Sequence, residues 1–202
     1  MAMEQMIREG LFDGVIDLTT HELIDEIEGG SHAGGPERLQ AASDMGLPQV
    51  VIPGSTDYIV TGRISELKRS FLNRTTMMHN PEMTFVKPSQ REMASLGLTM
   101  ARRLNRSQGN TVVLVPLKGF SYPNHEGRAF YNPAGVQAFI KALKEKLKPS
   151  IPLKLLPFHI NDEAFAAAVV GEFLELAGKQ DMKTTRTNIQ KGDRHVLQRK
   201  DY

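Results

Sequence analysis

The sequence predicts an α/β fold of Rossmann-like, doubly wound type, with a mainly parallel sheet and helices on both faces. Three observations carry that expectation. Short apolar runs alternate with helix-periodic segments from residue 14 to residue 176, the pattern of strand–helix–strand crossovers. The run TVVLVPLKG at 111–119 is apolar without alternation, as in a strand covered on both faces. A glycine-dense stretch, GGSHAGGP at 29–36, separates two helical segments on the edge where such folds place ligand loops.

In chain order, residues 1–10 read as a short amphipathic helix, with Met3, Met6 and Ile7 on one side and Gly10 as its stop. GVIDLTT at 14–20 is a short buried strand, and Thr19 with Glu22 makes a capping box that opens HELIDEI. After the glycine loop, Pro36 starts a helix whose Leu39, Ala42 and Met45 face inward and which Gly46 closes. LPQVVIPG supplies the next strand. Residues 55–81 have poor periodicity apart from a helical turn at ISELKRSFL, so this irregular region is expected to line a site or form a lid. MTFVKPS is again a strand, and Ser89 with Glu92 caps a helix burying Met93, Leu96, Met100 and Leu104. Asn132 and Pro133 open a helix with Val136, Phe139, Ile140, Leu143 and Leu147 at helical spacing. PLKLLPFHI is the last strand, and Asn161 or Asp162 caps the helix carrying Phe165, Val169, Phe173 and Leu176.

Composition narrows the function. The chain has 202 residues, 40% of them hydrophobic and 24% charged, which suits one folded domain over residues 1–178. Its formal charge of +2 is concentrated at the end: residues 179–202 carry seven Lys/Arg against three Asp/Glu, leaving the body at −2. A body without a basic face argues against nucleic acid as a partner, and the basic tail is expected to be disordered. No stretch reaches the roughly 18–20 apolar residues of a membrane span. The absence of cysteine excludes disulfides and thiolate metal sites and fits a cytoplasmic location.

Ligands of an open parallel sheet bind beyond the carboxyl ends of its strands. That rule selects Thr19, Thr20 and His21, then Gly54 and Asp57, Lys87 and Ser89, Lys118 and Ser121, and His159, Asn161 and Asp162. The loop residues Gly29, Gly30, Ser31, His32, Gly34 and Gly35 join them, either as an anion cradle of backbone amides or as a connection that uses glycine for tight turns. Neither Walker spacing nor a dinucleotide fingerprint is present. Lys118, ending a buried strand beside a Gly-Phe-Ser turn, is placed to meet an anion, a position that an ordinary surface lysine would share. Asp57 could accept a ribose hydroxyl or ligate magnesium, or serve as a turn residue. His159, Asn161 and Asp162, with His32 or His79, offer a mixed N/O metal set, against the plainer reading of Asn161 or Asp162 as a helix cap and His159 as a packed strand-end histidine. Ser31, Ser55 and Ser121 lie in loops without a nucleophile elbow, so no catalytic residue is assigned.

Several segments together carry a resemblance: AMEQMIREGLFDGVIDLTTHELIDEIEGG, GGPERLQAASDMGLPQVVIPGSTD, HNPEMT, VLVPLKGFS and FHINDEAFA. In this succession they resemble the carboxyl-terminal half of the uncharacterised family of Tm-type ATP-binding proteins, whose plant members include a tomato mosaic virus resistance protein. The resemblance implies two Rossmann-like halves facing a cleft, with nucleotide bound mainly by the amino-terminal half. It places Gly29, Gly30, Gly34, Gly35, Pro36, Gly54, Asp57, His79, Asn80, Lys118, His159, Asn161 and Asp162 on the family's motif positions as cleft candidates. It also implies that the amino-terminal half and one strand of this half lie outside the chain. The resulting expectation is a nucleotide- or anion-binding module forming one wall of a cleft. ATP with magnesium is the implied cofactor, and an amino-terminal partner domain or a second copy is the implied partner. A metal-assisted hydrolase or transferase subunit, and an inhibitory docking domain without its own site, are the alternatives.

Overall fold

The computed structural model describes residues 2–108 and 110–179, so the basic tail lies outside the described residues except for Lys179. In chain order its elements are helix α1 (Ala2–Arg8), strand β1 (Val15–Thr19), helices α2 (Glu22–Glu28) and α3 (Ala41–Asp44), and strands β2 (Gln49–Gly54), β3 (Ile59–Thr61), β4 (Thr76–Asn80) and β5 (Met83–Val86). Helix α4 (Gln90–Leu104), strand β6 (Thr111–Pro116), helix α5 (Pro133–Lys146), strand β7 (Leu153–Leu156) and helix α6 (163–179) complete the fold. No described helix is long and apolar enough to cross a membrane.

The main sheet has four parallel strands in the order β1-β2-β6-β7. Every residue of β2 and β6 is buried, which is why their sequences are continuous apolar runs. Their side chains still alternate. Val51, Val113 and Val115 pack with α2, α4 and α5, while Val50, Ile52, Val112 and Leu114 pack under Phe165 and Val169 of α6. Strands added in one direction by right-handed crossovers place their connecting helices on one face. Helix α6, after the last strand, therefore covers the other.

The expected caps divide. Ser89 accepts the Glu92 amide and the Glu92 carboxylate accepts the Ser89 amide, as expected for α4. Asn132 accepts the Gly135 amide at the start of α5. The capping box expected at Thr19 and Glu22 does not form, because Thr20 Oγ1 donates to the Ile52 carbonyl and His21 takes the N-cap position without a side-chain bond. Asp162 precedes α6, and its carbonyl accepts the Ala166 amide.

Two further expectations change. The supposedly irregular region contains a second, antiparallel sheet in the order β3-β5-β4, with MTFVKPS pairing there rather than in the parallel sheet. Strand β1 is an edge strand, and Ile16 and Leu18 are 39% and 44% exposed on the α6 side of the sheet.

Candidate functional site

The carboxyl ends of the parallel strands open into a run of hollows. The first, about 620 Å³, lies between β1, α1, α2 and the loop at 32–38. Leu18 and Thr19 lead from it into a second of about 420 Å³, lined by Tyr58, His79, Phe85, Phe120 and Tyr122. Tyr122 and Asn161 lead on to a third of about 280 Å³, with His125, Arg128 and His159. His125 and His159 border a fourth of about 360 Å³ that reaches Lys118. The trough thus crosses all four strand ends and changes character along its length.

Its first end is acidic. Arg38 is the hub there: its guanidinium donates to both Asp17 oxygens at 2.5 and 2.7 Å and lies 3.3 Å from both Glu4 and Glu22. Burial works against the guanidinium's charge, but Asp17, Glu22 and Glu4 outweigh it and hold Arg38 protonated. Three carboxylates around one arginine leave this lining net negative.

The helix expected to begin at Pro36 and turn its amides toward an anion is absent. Leu39 adopts φ 69°, and the regular turn starts only at Ala41. The amides of Leu39 and Ala41 are taken by the Glu4 carboxylate of α1 at 2.5 and 2.8 Å. An anion does sit there, supplied by the chain itself.

The glycine loop is similarly self-contained in its first half. Gly29 is left-handed at φ 69° and, like Gly30, donates to the Asp25 carbonyl. Ser31 donates to the Val60 carbonyl and His32 to Asp25 Oδ2. A Cβ on Gly30 would overlap the Asp25 carboxylate, so glycine there lets the loop fold onto α2. Among the described residues, the amides of Ala33 and Gly34 remain without an acceptor and line the first hollow.

That fold-back brings His21, the fully buried Asp25 and the exposed His32 together. His21 Nε2 lies 3.6 Å from Asp25 Oδ2, and the two imidazoles meet edge-on with centroids 5.4 Å apart. Burial raises the Asp25 carboxyl's pKa, against the lowering pull of the Val60 amide and of His21 and His32.

The middle hollow is aromatic. Tyr58 stacks on Phe85 at 4.2 Å between centroids, and His79 stacks on the same ring at 4.9 Å. Asn80, expected beside His79 in the cleft, accepts the Glu82 amide in the hairpin turn instead. At the far end the Lys118 side chain is exposed and makes no hydrogen bond or ion pair among the described residues. Arg128 lies over the Tyr122 ring, 5.3 Å from its centroid.

Several other candidates are structural. His159 Nδ1 accepts the Asn161 amide and Nε2 donates to the Ser121 carbonyl, so neither ring nitrogen is free for a metal. Asp162 accepts the His159 amide at 2.7 Å. Gly54 has no room for a Cβ because the Leu18 carbonyl oxygen occupies that space. Lys87 donates to the Ala129 and Tyr131 carbonyls, and Ser89 caps α4. Sequence reasoning did not select Glu4, Asp17, Asp25 or Arg38, although the four-residue spacing of His21 and Asp25 is a one-face signal on a helix.

Asp57 is fully buried and lines none of the four hollows described above. It accepts the Phe120 amide at 3.2 Å and so ties the β2 end to the β6 end. Burial raises its pKa above the ordinary value of 3.8, against the lowering pull of the nearby Ser121 and Asn124 side chains and of the Phe120 amide. A raised folded-state pKa means that its contribution is fully present below about pH 4 and is lost as pH rises through the folded value. Relative to Asp57→Asn, the wild type is therefore expected to lose stability as pH rises above about 4. Urea unfolding of both proteins across that range checks this, and a constant difference contradicts it.

Comparison with known proteins bears on this geometry. Residues 1–177 match the family described as uncharacterised protein family (UPF0261), C-terminal domain. A UPF0261 protein of Clostridium tetani is 38% identical over 179 residues, 88% of this chain and 44% of that protein. The ToMV resistance protein Tm-1(GCR237) of Solanum lycopersicum is 31% identical over 180 residues, 88% of this chain and 24% of that one. A UPF0261 protein of Rhizobium meliloti is 32% identical over 178 residues, 87% of this chain and 45% of its own length. The chain spans less than half the length of these relatives.

Proposed function

Because the chain belongs to the uncharacterised UPF0261 family, as its C-terminal domain, we propose that it binds a small anionic ligand of nucleotide type and forms one wall of a cleft. The observation that carries this reading is the trough itself, which unites four strand ends and runs from an acidic hollow through an aromatic one to Lys118 and Arg128. A planar ring system suits the hollow of Tyr58, Phe85 and Tyr122. Phosphate or carboxylate groups suit Lys118, unpaired among the described residues, and neighbouring Arg128. The anion is thus assigned to the β6 and β7 ends, away from the glycine loop and its carboxylates.

The remaining polypeptide of the longer relatives is the proposed opposite wall. Ile16 and Leu18 on edge strand β1, and the strand edge they belong to, are uncovered among the described residues and support that placement.

Calorimetry with ATP–magnesium tests both parts. The chain is expected to release heat on binding, and to bind more tightly once the remaining portion of a longer UPF0261 relative is added. Lys118→Ala and Tyr122→Ala, both at exposed positions, are each expected to weaken binding roughly tenfold, the equivalent of one charge-assisted bond or one stacked ring. No heat in either arm, or affinities unchanged in both variants, would overturn the reading.

A further inference from the structure

We infer that His21, Asp25 and His32 form a binding site for one divalent first-row transition-metal ion, with a coordination position open to the acidic hollow. The site is independent of the ligand proposed above, since it uses neither Lys118 nor Tyr122.

The tautomer of His21 is the first argument. Its Nδ1 lies 3.1 Å from the Ser55 carbonyl oxygen, which can only accept, so Nδ1 carries the proton and Nε2 presents a lone pair. That Nε2 is buried and has no hydrogen-bond partner among the described residues. A buried imidazole nitrogen left unpaired is costly, and a histidine anchored through its other nitrogen to a backbone carbonyl is how metal ligands are oriented.

Distance is the second. Nε2 stands 3.6 Å from Asp25 Oδ2, too far for a hydrogen bond. Two tetrahedral ligands at metal distances of about 2.0–2.1 Å lie about 3.4 Å apart. The donor atoms of all three residues fall within 4.8 Å of one another, and the exposed His32 ring can move to close the remainder.

The carboxylate is also held in place. Asp25 Oδ1 accepts the Val60 amide and Oδ2 the His32 amide, each at 2.9 Å. Such bonds orient the carboxylate while leaving Oδ2 a second lone pair for a cation. The fold-back that delivers His32 depends on Gly30, where a Cβ would displace this carboxylate.

Two imidazoles and one carboxylate suit zinc, cobalt(II) or iron(II), whereas magnesium and calcium prefer all-oxygen sites. His21 and His32 line the first hollow beside Glu4, Asp17 and Glu22, whose field concentrates cations there. Three protein ligands with a fourth position facing a cavity is the arrangement of metal sites that act on substrate or water.

The test uses the full chain, stripped with chelator and titrated with cobalt(II). One cobalt per chain is expected, with the visible bands of a low-coordinate N/O site, displaced by one equivalent of zinc. Metal should also raise the unfolding temperature of the wild type. His32→Ala, at an exposed position, is expected to weaken binding at least about tenfold without lowering the stability of the apoprotein. His21→Ala and Asp25→Asn should do the same where they fold, and His195→Ala, a histidine of the basic tail at 179–202, should leave binding intact. Absence of saturable binding, equal affinity in wild type and His32→Ala, or loss of binding only in His195→Ala would each overturn the assignment.

Discussion

Replacing Arg38 with alanine is expected to destabilise the fold by about 3–5 kcal/mol, a large share of the roughly 5–15 kcal/mol that holds a domain together. The side chain is only 6% exposed and its principal partners, Glu4 and Asp17, are 4% and 8% exposed. Removing the cation leaves Asp17 buried without its partner and Glu4 with only the Leu39 and Ala41 amides, and that uncompensated charge sets the cost rather than the loss of attraction alone. Three segments separate at once. Glu4 belongs to α1 and also accepts the Leu39 and Ala41 amides, Asp17 lies on β1, and Glu22 opens α2. Arg38→Lys should recover only part of the loss, because an ammonium cannot reproduce the paired bonds to Asp17. Urea unfolding of the three proteins at pH 7 measures this. A loss below about 1 kcal/mol in Arg38→Ala would mean that the hub behaves like an exposed ion pair.

The parts of this fold that could be read from the sequence are those decided by local signals. Strand β6 announces itself by an apolar run that only two covered faces require, and α4 and α5 by caps whose partners lie three residues away. The rule that ligands gather beyond strand ends gathers Lys118, Ser121, His159 and Asn161 along one trough without any knowledge of side-chain direction.

What could not be read depends on partners distant in sequence. Nothing between Pro36 and Gly46 signals that Leu39 turns left-handed, because the Glu4 carboxylate 35 residues away secures the turn. The His21, Asp25 and His32 cluster needs the loop to double back, which follows from the amide bonds of Gly30, Ser31 and His32 rather than from spacing. Asp57 looks the same in sequence whether it faces a ligand or a buried amide. Of the antiparallel strands only β5 is legible, as MTFVKPS, because β3 is three residues long, too short to show alternation, and β4 is largely exposed and carries no apolar alternation.

Gly119→Ala is expected to cost about 2–5 kcal/mol and to weaken ligand binding at the basic end of the trough. Two penalties combine. Gly119 has φ 140°, and an L-residue forced to positive φ costs roughly 1–2 kcal/mol. Its new Cβ would also overlap the Asn124 carbonyl oxygen and press on the His159 ring, and overpacking adds about 1–3 kcal/mol. Neither neighbour yields easily, because Asn124 is buried and His159 is bonded through both ring nitrogens. The loop must move instead, and it carries Lys118, Ser121 and Tyr122. Gly127→Ala separates the two penalties, since Gly127 has φ 81° but nothing within 4 Å of an added Cβ. That variant is expected to lose only about 1–2 kcal/mol and to bind as the wild type does. Chemical unfolding and ATP–magnesium calorimetry on the pair decide the matter: equal losses of stability would show that backbone strain acts alone. In that case the close packing of the 119–124 turn against His159 does not set the shape of the trough.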